Sequence, residues 1–301
     1  MNFRPFSGRQ RKGQHMSAPA PSTSTSAATR IVIAGAGPAA QALVTRLDRA
    51  RFAGTVTILS NRDDVSPELL ELAALPQVSL RCGQPASFIE PQTRTVTTAD
   101  GMEFGYDQLV IATGSAPERA PVAGADHCLS YSTIDDAARI GSAVRDLSTE
   151  LGRRPLGILV GTGAAAGQAE AVLRSRGVRP VRTTMRPAAV TPRTAGTELR
   201  SAGIVFPDGS TMNGDIVVLA EERVSRDGLA ASAGLRTAPG GGIAISQDFR
   251  TSVPGIWAIG DAATFDGVRL GLLVAAASAA GACAAQLMSA SSPGTVLQAA
   301  A

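Results

Sequence analysis

Short apolar runs alternate with amphipathic stretches along most of this chain, and that alternation sets the expected elements. Ile31 to Ala34 is wholly apolar and runs into glycines, as a strand buried on both faces does. Pro38 follows where a first helical turn tolerates it, and Ala42, Leu43, Val44 and Leu47 form one helical face. Thr55 to Leu59 reads as the next strand. Strand, glycine-rich turn, helix and strand make a βαβ unit, which predicts a parallel sheet covered on its faces. A hairpin pattern comes next: a β-prone run from Arg94, an Asp100-Gly101 turn signal and a buried strand from Leu109 to Ala112.

The same plan then repeats. A helix is expected over Asp135 to Leu147, followed by an apolar strand into Gly161, a second glycine-rich turn, a second helix and a strand from Val181. Asp208-Gly209 marks a second hairpin, which ends in the buried run Ile216 to Ala220. The repetition predicts an α/β chain of two Rossmann-like dinucleotide-binding domains, with parallel sheets and β-hairpin crossover elements. Near the end, the apolar run Ile256 to Ile259 meets Gly260 and Asp261, and a small-residue helical stretch is read straight after it, over Leu270 to Leu287.

Composition changes this picture little. The chain has 301 residues, 44% apolar and 18% charged, ordinary for a globular protein with room for two domains. The net charge of +3 misleads, because Arg4, Arg9, Arg11 and Lys12 stand in a stretch without acids. Without those four, the balance from Arg30 onward is −1, which gives no reason to expect nucleic acid. Residues 1 to 29 end in a Ser/Thr/Pro/Ala linker and are expected to be disordered, and 291 to 301 to be a flexible end. No apolar run suits a membrane span or a secretory signal. Cys82, Cys128 and Cys283 fit no metal or redox spacing, which points to reduced thiols and a cytoplasmic setting. His15 and His127 are the only histidines, so a histidine-based metal site or triad is not expected.

The candidate chemistry lies in the turns. Gly35, Gly37 and Ala40 form a GxGxxA pattern, with Pro38 and Ala39 between them. The first glycine permits the turn, the second lets backbone approach a pyrophosphate, and the small third residue lets helix and strand pack closely. An acid ordinarily follows the second strand and accepts from ribose hydroxyls; here Ser60 and Asn61 stand there as weaker candidates. Gly161, Gly163 and Ala166 repeat the pattern, again without the acid. Arg182 and Arg186 have two readings, a clamp on the 2′-phosphate of NADP or solvated surface. Ala112, Thr113 and Gly114, with Ser115, are small enough to pass close to a dinucleotide. Asp261 beside Gly260 reads as an acceptor for a ribityl hydroxyl, aided by a helix N-terminus, or as a plain N-cap.

With these residues set out, the chain resembles the FAD-dependent pyridine nucleotide–disulfide oxidoreductase superfamily. The likeness is to its ferredoxin-reductase-like, nitrite-reductase-associated and apoptosis-inducing-factor-like branch. Five stretches carry it in order: IVIAGAGPAA, DGMEFGYDQLVIATGSAPE, YSTIDDAA, LVGTGAAAGQAE and TSVPGIWAIGDAA. The resemblance implies an FAD-binding domain over 30 to 120 and 251 to 290, interrupted by an NAD(P)H-binding domain over 121 to 250. It also implies hydride transfer from NAD(P)H, with a lean to NADPH, to flavin N5. Electrons would then pass to a ferredoxin-like protein or a small-molecule acceptor. The alternative is a catalytically degenerate FAD/NAD(P)-binding module with a regulatory or scaffolding role. Three departures stand out. The Arg-Pro-Pro-Leu-Ser-Lys-like segment that lines the isoalloxazine in the family has no counterpart, and Lys12 is the sole lysine. A Gly-x-Arg-Pro-Asn-like turn is replaced by Glu221 to Arg226, and the family's C-terminal interface domain is not read here. The oligomeric state is left open.

Overall fold

The computed structural model describes residues 28–63, 66–119, 121–195 and 198–291, apart from the side chains of 193–195, 198–202 and 291. Most of the expected N-terminal tail, the C-terminal end beyond 291, and Asp64 lie outside the described residues. Two parallel sheets carry the molecule. The first runs Ile256–Ala258, Gln108–Ile111, Arg30–Ala34, Thr55–Leu59, Val78–Arg81 in spatial order. The second runs Val181–Thr183, Gly157–Gly161, Ile216–Ala220, Leu129–Ser130.

Burial explains the sequence pattern. Ile31, Val32, Ile33 and Ala34 are all buried, because a parallel sheet packs elements on both faces and has no wet side. On the helix Pro38–Arg49, Ala40, Leu43, Val44 and Leu47 face the core. That helix packs on Ala276–Ser291, where Ala279, Ala280, Cys283 and Ala284 are buried and let the two helices approach closely. Each half also carries a three-stranded antiparallel meander: Ala86–Glu90, Thr95–Thr98 and Glu103–Gly105 in the first, Ala189–Ala195, Glu198–Val205 and Thr211–Asn213 in the second. The architecture is therefore the two-domain α/β, Rossmann-like one that the repeated plan predicts.

The chain leaves and re-enters the first half through one ladder, where Ser115–Pro117 pairs antiparallel with Arg223–Ser225. Past it, Leu229, Ala230, Leu235, Ile243 and Phe249 already join the core of the first sheet, ahead of the boundary read at 251. Trp257, fully buried, anchors this return: its indole nitrogen donates to Gln108 Oε1 at 2.7 Å and Arg250 stacks 4.4 Å from the ring.

One expectation is corrected. Asp261 does not lead directly into the small-residue helix. It sits in a three-residue 3-10 turn, Gly260–Ala262, and a hairpin of Ala263–Phe265 and Val268–Arg269 intervenes before Ala276. Asp266 and Gly267 both have positive φ, the geometry of the tight hairpin turn that Asp-Gly favours. Asp261 therefore does not cap the long helix. Among the described residues, no helix is long and apolar enough to cross a membrane.

Candidate functional site

The two glycine turns are built alike. Gly35 has φ +117, and a Cβ there would lie 2.2 Å from the carbonyl oxygen of Ala112. Gly161 has φ +144, and a Cβ there would lie 2.1 Å from the carbonyl oxygen of Ala220. Both first glycines are thus required by conformation and by space, since each passes beneath a carbonyl at the end of the neighbouring strand, that of Ala220 or of Ala112 just past it. Ala40 and Ala166, the third positions, are fully buried where helix meets strand.

At the first turn, Gly37 is exposed and nothing lies within 4 Å of its would-be Cβ. The helix ladder closes from Gln41 N–H to Gly37 O at 3.0 Å, so the amides of Ala39 and Ala40 precede its first bond. An open glycine over the free amides of a helix start has the chemistry to accept a phosphate. Gly260 is packed onto the same turn: a Cβ on it would come 2.9 Å from Ala39 Cβ. The structure thus joins Gly35, Gly37, Pro38, Ala39 and Ala40 to Gly260 and Asp261, across more than two hundred residues of sequence. Of the second-strand candidates, Ser60 is buried and its hydroxyl accepts from Arg62 N–H at 3.1 Å, while Asn61 is exposed.

Asp261 is the centre of a polar cluster that its sequence neighbourhood does not announce. Its Oδ2 accepts from Ser115 Oγ at 2.7 Å and from Arg269 Nη1. Arg269 also donates to Ser132 O, at 2.9 Å, and Arg223 donates through Nε to Ser115 Oγ at 2.8 Å. Ser225 Oγ donates to Asp261 O at 2.7 Å. Burial pushes the Arg223 guanidinium below its ordinary value; Asp261 opposes that shift, and nearby Arg269 and Arg226 add to it. Asp261 Oδ1, in contrast, is buried without a hydrogen-bond partner, in the space left by the missing side chain of Gly271. A charged oxygen so placed calls for a donor, and a ligand hydroxyl is one. The open cradle at Gly37 and this unmet acceptor together fit a hydroxylated dinucleotide such as FAD. Arg269 is not singled out by sequence, and Ser115 and Arg223 enter that reading only within longer stretches, without a polar role. The Asp266-Gly267 signal could have revealed the hairpin that carries Arg269.

Thr113 and Gly114 line the crossing between the halves. Thr113 Oγ1 donates to Arg226 O, and Arg226 N–H donates to Gly114 O at 2.8 Å. From the other half, Asp136 Oδ2 accepts the Ser132 and Thr133 amides at 2.7 and 3.0 Å, shaping the turn whose Ser132 carbonyl receives Arg269. Burial pushes the Asp136 carboxyl up, but those amides, Arg139 and the Ser132 hydroxyl outweigh it and hold it below the usual range.

The second turn is occupied differently. A Cβ on Gly163 would lie 2.4 Å from Glu222 Oε1. Arg182 donates to Gly161 O at 3.4 Å and to Glu170 at 3.3 Å, and Arg186 donates to Glu221 at 2.7 Å. Both arginines therefore already answer acids of their own half. A cavity of about 150 Å³ opens here beside Gly161, Thr162, Arg186, Glu221 and Glu222. A larger one, about 540 Å³, lies at the amino end of the second sheet beside Asp126, His127, Asp146 and Ile216, away from both glycine turns. Burial raises the Cys128 and Cys283 thiols to about 12, far from thiolate chemistry at neutral pH.

The family model for the pyridine nucleotide-disulphide oxidoreductases matches residues 29–166 and 154–281. The chain belongs to this family. Within the pyridine nucleotide-disulphide oxidoreductases it falls in the branch of ferredoxin and nitrite reductases. It is 30% identical over 227 residues to the nitrite reductase (NADH) large subunit of Escherichia coli strain K12, covering 65% of this chain and 26% of that one. It is 27% identical over 284 residues to the nitric oxide reductase FlRd-NAD(+) reductase of Aeromonas hydrophila, covering 81% and 73%. The chain spans about a quarter of the length of the nitrite reductase large subunits it matches. Among solved structures, the putidaredoxin reductase–putidaredoxin complex superposes with TM-score 0.56 at 21% identity, over 87% of this chain and 76% of that one. Fdr9 superposes with TM-score 0.52 at 24% identity, over 88% and 76%. At that identity, these structures speak for the fold alone.

Proposed function

We propose that this chain is an FAD-dependent NAD(P)H oxidoreductase that passes electrons on to a ferredoxin-like protein or a small-molecule acceptor. The observation that carries the reading is the joint made by Gly37, Gly260 and Asp261. Gly260 packs on Ala39 of the first turn, whose Gly37 faces open space, and the next residue, Asp261, carries the unsatisfied carboxylate oxygen. In this reading Gly35, Gly37, Ala39 and Ala40 hold the pyrophosphate, and Asp261 Oδ1 accepts from the ribityl chain. Ala112, Thr113 and Gly114 leave room beside it. FAD, when bound, supplies the two-electron chemistry between a nicotinamide and an acceptor. The protein's own part is to orient, to exclude water, and to hold charge with Arg223 and Arg269 close by. Relatives whose names include NADH, NAD(P)H or NAD(+), one of them with ferredoxin, support a pyridine nucleotide as one of the electron carriers.

A second reading, a dinucleotide-binding module without turnover, draws on a single observation, the Glu222 carboxylate against Gly163. The visible spectrum of the purified full chain separates the two. Flavin bands that bleach anaerobically with NADH or NADPH are expected. A colourless protein that fails to retain added FAD refutes the oxidoreductase, and bands that neither nucleotide bleaches favour the module.

A further inference from the structure

Superposing the two turns by role exposes a difference that composition hides. Ala112 and Ala220 occupy the same place, each roofing a first glycine with its carbonyl. Two residues further on, the first half has Gly114 and the second has Glu222. Gly114 has φ +73, and nothing approaches its would-be Cβ. Glu222 instead reaches back with its carboxylate to Gly163, the glycine equivalent to Gly37. Gly37 has only open space over it, whereas Gly163 has a carboxylate oxygen where a pyrophosphate oxygen would approach.

The backbone holds Glu222 in that place. Glu118 N–H donates to Glu222 O at 3.1 Å, and the next residue, Arg223, pairs with Pro117 in the crossing ladder. Glu118 and Glu221 line the same small cavity, so the charge around the second turn is acidic on three residues. Arg119 and Arg186 share the cavity, and Arg186 donates to Glu221. A dianionic pyrophosphate brought here meets like charge at the backbone position it must contact.

We propose that Glu222 is a specificity-determining residue that bars the pyrophosphate of NAD(P)H from the second glycine turn unless its side chain swings away. The charge and length of residue 222 then set pyridine nucleotide affinity, independently of FAD binding at the first turn. The inference rests on the assignment of the second turn to NAD(P)H.

The test is titration calorimetry of the full chain with NADH, NADPH and ADP-ribose, for the native protein, Glu222→Gln and Glu222→Gly. Glu222→Gln keeps the shape and removes the charge of an exposed side chain, so folding is preserved; circular dichroism checks it. All three ligands should bind about tenfold more tightly to Glu222→Gln, from loss of a like charge at contact distance. Glu222→Gly should bind them at least as tightly again. Flavin content at 450 nm should be the same in all three proteins. Affinities within twofold of the native protein overturn the proposal, as does undetectable binding throughout. Weaker binding by Glu222→Gln also overturns it and makes Glu222 a ligand of the nucleotide. A protein without flavin whose Glu222 variants still gain affinity would sink the oxidoreductase reading while leaving this proposal standing.

Discussion

Replacing Arg269 by Met leaves Asp261 with its negative charge and without its cation. Both side chains of this pair are 11% exposed, so water can replace little of what is lost. The substitution also removes the donor to the Ser132 carbonyl and leaves the Ser115 hydroxyl, itself bonded by Arg223, to hold Asp261 Oδ2. Asp261 Oδ1 already lacks a partner, so the carboxylate becomes a poorly compensated buried charge. Breaking such a pair from one side costs about 3–5 kcal/mol, and the residual exposure argues for the low end, about 3 kcal/mol. For a domain of this size, that corresponds to a fall in Tm of roughly 6–12 °C. Trp257, the sole tryptophan, is fully buried four residues before Asp261 and reports unfolding by its fluorescence. Urea titration of the native protein, Arg269→Met, Asp261→Asn and the double variant completes the cycle. The double variant should be more stable than Arg269→Met, because the stranded charge is gone. A loss under about 1 kcal/mol for Arg269→Met, the range of an exposed pair, refutes the reasoning. So does a double variant whose loss is the sum of the singles.

Gly37→Val should fold with a change within about 1 kcal/mol, since φ is −73 and nothing crowds the site, yet lose FAD affinity by at least about tenfold by filling the cradle. Normal FAD content in the folded variant would show that the cradle is not used. Asp261→Ala should deplete bound flavin more than Gly161→Val, whose added side chain strikes Ala220 at the other turn; equal depletion, read at 450 nm, would contradict the assignment of the first turn. Asp136→Asn should destabilise by about 1–2 kcal/mol at neutral pH through weakened capping of the Ser132 and Thr133 amides. Because the folded Asp136 carboxyl is held below its usual range, its stabilisation is complete above the unfolded value of about 3.9 and is lost as pH falls through the lower folded value. Urea midpoints from pH 6 to pH 2.5 should therefore fall less steeply in the variant, and parallel curves would count against it.

Much of the architecture was legible because parallel-sheet strands are apolar throughout and glycine turns are chemically narrow. Gly35 and Gly161 are readable from the GxGxxA pattern after an apolar strand, and the structure gives the reason, since their φ values and the carbonyls of Ala112 and Ala220 admit no other residue. The hairpin signal at Asp266-Gly267 is equally local, but in a linear reading the small residues beyond it favour an immediate helix. Ser60 shows the opposite case. Its position after the second strand is where a ribose acceptor belongs, but its hydroxyl engages Arg62 N–H, a choice set by local backbone geometry.

The linear pattern is enough to show that two βαβ units repeat and where each turns, while the family resemblance implies that a Gly-Asp segment near the end belongs with the first of them. Periodicity and conformational restriction are properties of neighbours along the chain, so a linear reading can reach them. Only the tertiary structure decided what surrounds the charges. Ser115 meets Asp261 across 146 residues, Arg269 reaches it from the far arm of a hairpin, and Glu222 leans onto a glycine from the connection after another strand. Such contacts depend on how sheets stack and where side chains end, and electrostatic energy depends on those distances and on burial. Two turns that look alike in sequence therefore differ in kind: Gly37 opens onto free space, and Gly163 faces a carboxylate.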